Sequence, residues 1–166
     1  QLQALCEATG CTVANVNSAA QQVLSGSKDA IAAAAVKAKE LGIKRAIPLA
    51  TAGAFHSPFM QSAREKLAAV LETISFNPPK FPVLSNVTGE PHSDDPEVIK
   101  ATMLEQVTGT TNWAKDVETA KSLGATTFVE FGPGKVLSGL VKKIDATLVT
   151  ANVADMASLE SAVAAL

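Results

Sequence analysis

Thr126-Thr127-Phe128-Val129-Glu130-Phe131-Gly132-Pro133-Gly134-Lys135-Val136-Leu137 is the stretch on which the fold turns. Thr126 to Phe131 is rich in β-branched and aromatic residues and bounded by glycine, which predicts a strand. Gly132-Pro133-Gly134 breaks it, and the apolar spacing from Lys135 to Ile144 predicts a helix. A second β-branched run, Thr147 to Val153, predicts another strand, and Ala157 to Leu166 a last helix. Strands separated by helices predict an α/β architecture with a mainly parallel sheet.

Upstream, Ser57-Pro58 is a strong helix start, because serine can cap and proline suits the first helical position. Met60, Ala63, Leu67, Val70, Leu71 and Ile74 then mark one helical face. Prolines at 78, 79 and 82 forbid helix, and Val83 to Asn86 reads as a short strand. A polar loop (Gly89 to Pro96) leads to helices at about 97–106 and 113–123. The first part of the chain reads helix (1–9), strand (Cys11–Val16), strand (Gln22–Leu24), helix (28–41, capped by Ser27 and closed by Gly42) and strand (Arg45–Ala50). That order is ferredoxin-like except that its first strand would precede Gln1.

The composition excludes several classes of function. With 47% hydrophobic and 18% charged residues among 166, the chain is globular rather than disordered. Fourteen basic against sixteen acidic residues leave a net charge of −2, with no basic stripe for nucleic acid. The alanine-rich run Ala30 to Val36 is far short of the roughly 20 residues a membrane span needs. Cys6 and Cys11 are too few for a disulfide scaffold or a four-cysteine zinc site, and read as reduced thiols. There is no signal-peptide pattern, and a chain opening on Gln1 reads as processed or as a fragment.

Two histidines offer acid–base chemistry. His92 lies in a polar loop and reads as solvated. His56 lies between a predicted strand end and a predicted helix start, in Gly53-Ala54-Phe55-His56-Ser57-Pro58-Phe59-Met60. The positive end of a helix dipole disfavours imidazolium, and a neutral imidazole is what a general base requires. The alternative is a histidine wedged between Phe55 and Phe59 and bonded to a backbone carbonyl. No G-x-S-x-G elbow is present, so the chain has a candidate base and no candidate nucleophile. Gly132-Pro133-Gly134-Lys135 lacks phosphate-loop spacing and reads as a turn, with Glu130 as the only carboxylate of its strand. Asn15 and Asn17 put two amides at a strand end. They serve either the backbone turn or a substrate.

Several of these segments occur together in one known family. In order along the chain they are Ala14-Asn15-Val16-Asn17-Ser18 with Gln22-Val23-Leu24-Ser25-Gly26; Gly53 to Met60; Pro82-Val83-Leu84-Ser85-Asn86-Val87; Gln106 followed by Trp113; and Phe128 to Leu137. The chain resembles the C-terminal half of the malonyl-CoA:acyl carrier protein transacylases and is similar to polyketide synthase acyltransferase domains. Ala19-Ala20 stands where the family usually has proline and glycine.

The resemblance implies transfer of malonyl from CoA to the carrier phosphopantetheine thiol through a malonyl-serine intermediate. His56 would be the base, oriented by the backbone carbonyl of Gln106. Asn15, Asn17 and Phe55 would line the substrate site, with the Phe55-His56 pair being the form associated with malonyl. The family's serine elbow, oxyanion glutamine and carboxylate-binding arginine would all precede Gln1, so this chain alone should not turn over.

The implied partners are acyl carrier protein, malonyl-CoA and an N-terminal half of the same enzyme. No nucleic acid, membrane, metal or permanently bound cofactor is implied. The implied compartment is bacterial cytoplasm, or plastid stroma in a photosynthetic eukaryote. Residues 1–48 would be a partial ferredoxin-like subdomain, and 49–166 the C-terminal part of a hydrolase-like subdomain. The competing readings are a non-catalytic carrier-protein-binding fragment, a polyketide synthase acyltransferase and an unrelated α/β regulatory domain.

Overall fold

The computed structural model describes residues 1–165. Helix α1 (Leu2–Thr9) ends at Gly10, whose φ of 72° is one that glycine adopts without a Cβ clash, and its N–H closes on Cys6 O. Strands β1 (Thr12–Ser18) and β2 (Gln21–Ser25) form an antiparallel hairpin. The connection is Ala19-Ala20, so Asn17 and Ser18 belong to the strand rather than to the turn. Helix α2 (Lys28–Glu40) starts as expected, with Ser27 Oγ accepting from Ala30 N at 3.1 Å. It packs on α1 through Leu5, Cys11, Ala34 and Ala38, with Leu24, Ile31 and Ile43 around them.

The strand expected at Arg45–Ala50 does not form. A strand needs a neighbour to take its N–H and C=O groups, and the bond recorded in this stretch is local, Thr51 N to Leu49 O. Ile47 and Leu49 are accordingly 63% and 61% exposed. The helix start at Ser57-Pro58 is real but opens as one 3-10 turn, Pro58–Met60, before α3 (Gln61–Leu71). Ser57 does not cap with its side chain; its hydroxyl turns back and donates to Ala54 O.

The strand expected at Val83–Asn86 shortens to β3 (Leu84–Ser85), paired antiparallel with β4 (Glu90–Pro91). Helix α4 (Pro96–Thr108) is capped by Asp95, which accepts from Glu97 N at 2.8 Å, with proline at its start. Helix α5 (Trp113–Ser122) follows. Then come β5 (Thr127–Phe131), α6 (Val136–Ile144), β6 (Val149–Val153) and α7 (Met156–Ala165).

The fold is α/β, and β5 and β6 pair in parallel, in register from Thr127–Val149 to Phe131–Val153. The expectation of one mainly parallel sheet needs correction: the described residues form three two-stranded sheets, of which one is parallel. A second apolar cluster, Val117, Val141 and Leu148 with Trp113, Phe128 and Ile144, fastens α5 and α6 to this pair. Among the described residues no helix is long and apolar enough to cross a membrane.

Glu130 governs the turn from β5 into α6. Its carboxylate accepts from Leu137 N (3.1 Å), Ser138 N (2.8 Å) and Asn152 Nδ2 (3.0 Å). The first two donors are N–H groups of the first turn of α6, which have no partner within the helix. The Ser138 amide foremost, then the other donors, holds the Glu130 carboxyl below the usual carboxylate range. A depressed carboxylate contributes stability above its unfolded-state value and loses it as pH falls through the folded one. Glu130→Gln is therefore expected to lower Tm by a few degrees at pH 7. Thermal scans should show the gap to the parent chain closing below about pH 4.

Candidate functional site

His56 is set by an unusual backbone. It is the one non-glycine residue with positive φ (55°) among the described residues. The left-handed region costs an ordinary residue roughly 1–2 kcal/mol, so the surroundings must hold it there. Ser57 does part of this: it is fully buried, its hydroxyl bonds Ala54 O, and its carbonyl accepts from Met60 N at 3.0 Å. Phe55 and Phe59 are 49% and 64% exposed, so the imidazole is not wedged between two packed rings. Nor does it follow a strand end, since residues 45–50 are not a strand.

The imidazole is held by the end of α4. His56 Nδ1 lies 3.1 Å from Gln106 O. Gln106 is in the last turn of α4, where carbonyls have no intrahelical partner and the helix end carries partial negative charge. With Nδ1–H donating to that carbonyl, the lone pair of the neutral ring lies on Nε2. The Gln106 side chain returns to the same place: Nε2 donates to Thr111 Oγ1 at 3.0 Å, and Thr111 Oγ1 stands 3.4 Å from His56 Nε2.

The chain reaches this arrangement through a tight exit from α4. A Cβ at Gly109 would come 2.8 Å from Glu105 O and 2.9 Å from Val87 Cγ2, so only glycine fits. The next residues bond outward in several directions. Thr110 Oγ1 donates to Val13 O, Thr111 N to Ala14 O, and Val16 N to Thr111 O. Asn112 donates through N to Asn86 O and through Nδ2 to Val87 O.

Of the residues singled out from sequence, the fold brings His56 and Gln106 into contact. It pairs Asn15 with Thr111 in a parallel bridge. Asn17 is the extra residue of a bulge between Val16 and Ser18, and no hydrogen bond joins its amide to the cluster. Phe55 lies beside His56 with its ring 3.8 Å from the Cβ position of Gly53. Thr111 was missed, because a threonine in Gly109-Thr110-Thr111 has no spacing signal linking it to a histidine 55 positions upstream. An open groove of about 460 Å³, lined by Val13, Val16, Val87, Glu105, Thr110 and Asn112 among others, runs beside this junction. His56 does not line it. Among the described residues no group of three or more His, Cys, Asp or Glu could hold a metal ion.

Known proteins are similar to the chain in both sequence and fold. No protein-family model matches the chain. It is 40% identical over 154 residues to the malonyl CoA-acyl carrier protein transacylase of Bacillus subtilis, an alignment covering 93% of this chain and 48% of that one. It superposes on the crystal structure of malonyl CoA-acyl carrier protein transacylase from Clostridium perfringens with a TM-score of 0.93 at 37% identity, covering 99% of this chain and 53% of that one. A malonyl-transacylase solved in complex with a type II PKS acyl-carrier protein gives 0.91 and 36%, with 99% and 53% covered. Over nearly its whole length the chain is similar to malonyl CoA-acyl carrier protein transacylases. It spans about half the length of the curated relatives it matches.

A second polar spot in the chain lies away from His56. Asp116 on α5 is 5% exposed, and neither carboxylate oxygen has a partner. It lines a cavity of about 220 Å³ with Leu84, Asn86, Trp113, Val117 and Phe128, and Trp113 Nε1 is unpartnered as well. Burial pushes the Asp116 carboxyl up to about 6, with Lys115 opposing weakly. A raised carboxylate binds its proton in the folded state first, so the group costs stability as pH rises from about 4 to 6, and the full cost persists above. Asp116→Asn should therefore stabilise the chain at pH 7.5 by about 1–2 kcal/mol in urea unfolding. Solvent reaching the cavity limits the gain. The gain should vanish near pH 4.

Proposed function

We propose that the chain is the C-terminal portion of a malonyl-CoA:acyl carrier protein transacylase and supplies its general base, His56. The observation that carries this is the bond from Nδ1 to the Gln106 carbonyl, which puts the lone pair of the neutral ring on Nε2, where a proton can be taken. In the proposed reaction a serine hydroxyl from the N-terminal portion gives its proton to His56 Nε2 as its oxygen attacks the malonyl thioester carbonyl. The C–S bond breaks, and the CoA sulfur leaves with that proton. The carrier phosphopantetheine thiol then gives its proton to Nε2 and attacks the malonyl-serine ester. The ester C–O bond breaks, and the serine oxygen recovers the proton.

The imidazolium that forms twice in this cycle needs a negative partner. Here the partial charge at the end of α4 takes the place of a triad carboxylate. Phe55, beside the base and half exposed, would limit the room for an α-substituent on the acyl group; such steric selection is worth about 1–3 kcal/mol. Asn15 and Asn17 would support the substrate site from β1. In this reading residues 1–48 are the partial ferredoxin-like subdomain, and 49–166 belong to the hydrolase-like one. The partners are malonyl-CoA, acyl carrier protein and the N-terminal portion. The matched relatives named above give no support to a plastid setting, and bacterial cytoplasm is the compartment proposed. A carrier protein of fatty acid or of polyketide synthesis would be served by the same chemistry, since a malonyl-transacylase of this fold is known with a type II PKS carrier.

Intact-mass spectrometry after incubation with malonyl-CoA tests this reading, on the chain alone and with an N-terminal portion from a relative added. A malonyl adduct is expected only in the combined sample, and His56→Ala should cut transfer by a factor of about 10³ or more. An adduct on the chain alone would reveal a nucleophile within it. A folded complex with no adduct would favour a carrier-binding role, and near-normal transfer by His56→Ala would remove His56 as the base.

A further inference from the structure

We infer that Thr111 is a positioning residue for His56, its hydroxyl holding the Nε2 lone pair so that the ring keeps one tautomer and one orientation. Three observations converge on that hydroxyl. It stands 3.4 Å from Nε2, the ring nitrogen that the Gln106 carbonyl does not bond. It accepts from Gln106 Nε2 at 3.0 Å, which commits an oxygen lone pair and leaves its own proton to donate. Its backbone is bonded on both sides to β1, through Thr111 N to Ala14 O and Val16 N to Thr111 O, each at 2.8 Å. A side chain on a backbone fixed in this way has little freedom beyond χ1, and threonine is restricted there too.

The hydrogen bonds are directional and close a loop. The imidazole Nδ1–H donates to Gln106 O, the Gln106 amide donates to Thr111, and the Thr111 hydroxyl donates to Nε2. In this tautomer the 3.3 Å approach of Gln106 Nε2 to His56 Nδ1 sets two donors side by side and is not a bond. Which ring nitrogen carries the proton is set by what the other nitrogen meets, and here the two sides agree. The ring is thereby held ready, with its accepting nitrogen covered by a weak, long contact that a nucleophile's hydroxyl can displace. The catalytic consequence rests on His56 being the base; the positioning itself does not.

The experiment is therefore made first on the chain as it is. Side-chain ¹⁵N–¹H correlation spectra, recorded where the imidazole signals no longer change with rising pH, report the tautomer directly, and His92→Gln assigns the two rings. The parent is expected to show His56 with the proton on Nδ1. Thr111→Val keeps the β-branch and removes only the hydroxyl, and should move His56 to a mixed tautomer population, while Thr111→Ser should restore the parent spectrum. If Thr111→Val does not fold, Thr111→Ala makes the same comparison.

A His56 tautomer unchanged in the hydroxyl-free variant would overturn the inference; it would point instead to a flipped Gln106 amide whose oxygen accepts the Thr111 proton, Oε1 being unpartnered as it stands. A serine variant that shifts as far as valine would overturn it too, by making the methyl group the cause. In the combined enzyme Thr111→Val should lower kcat about tenfold with KM little changed, a fraction of the contribution of the base itself. Absence of any transfer in the parent would instead count against the function proposed above and leave the tautomer result standing.

Discussion

The peptide of Thr111 is bonded to β1 on both sides, and the site depends on that pair of bonds. Thr111 N donates to Ala14 O and Thr111 O accepts from Val16 N. One residue later, Asn112 ties the same segment to Asn86 and Val87. Two parts of the chain far apart in sequence, β1 and the Asn86-Val87 segment, therefore meet at the four-residue connection from α4 to α5. Backbone groups must find partners when removed from water, and here that requirement sets the position of the helix end to which His56 is bonded. The glycine at 109 makes the approach possible by presenting no Cβ to Glu105 and Val87.

A carbonyl at a helix end is a weaker electrostatic partner than a carboxylate, but it has advantages of its own. It brings no desolvated full charge into the site, and its direction is fixed by the helix rather than by rotamers. The chain elsewhere shows both fates of a full charge. Glu130 receives donors from two helix amides and an asparagine, and its carboxylate is held ionised. Asp116 is buried without a donor, and its carboxylate is destabilised. The difference is hydrogen bonding to the charged form.

Much of this was legible in the sequence because the signals are local. Gly10, Ser27, Asp95 and Pro96 act on neighbouring residues, so the helices they bound appear close to where they were expected. The β5–α6–β6 unit is likewise announced by β-branched runs around Gly132-Pro133-Gly134. The failures are non-local. Arg45–Ala50 has strand composition but no neighbouring strand among the described residues. A two-residue β3 came from a four-residue β-prone run for want of a longer partner. Ser57 had the composition of a cap, yet its hydroxyl found Ala54 O first.

The sequence by itself determined the helices, the β-α-β order, the near-neutral charge and, through ordered motifs, the resemblance to the malonyl-CoA:acyl carrier protein transacylases that drew attention to His56 and Gln106. Those features arise from interactions within a few residues or from a pattern of residue identities. Only the tertiary structure decided the left-handed backbone at His56, the place of Thr111 beside Nε2, the isolation of Asn17 and the unpartnered burial of Asp116. Each depends on which distant groups compete for a hydrogen bond or for water, and residue order alone carries no record of that competition.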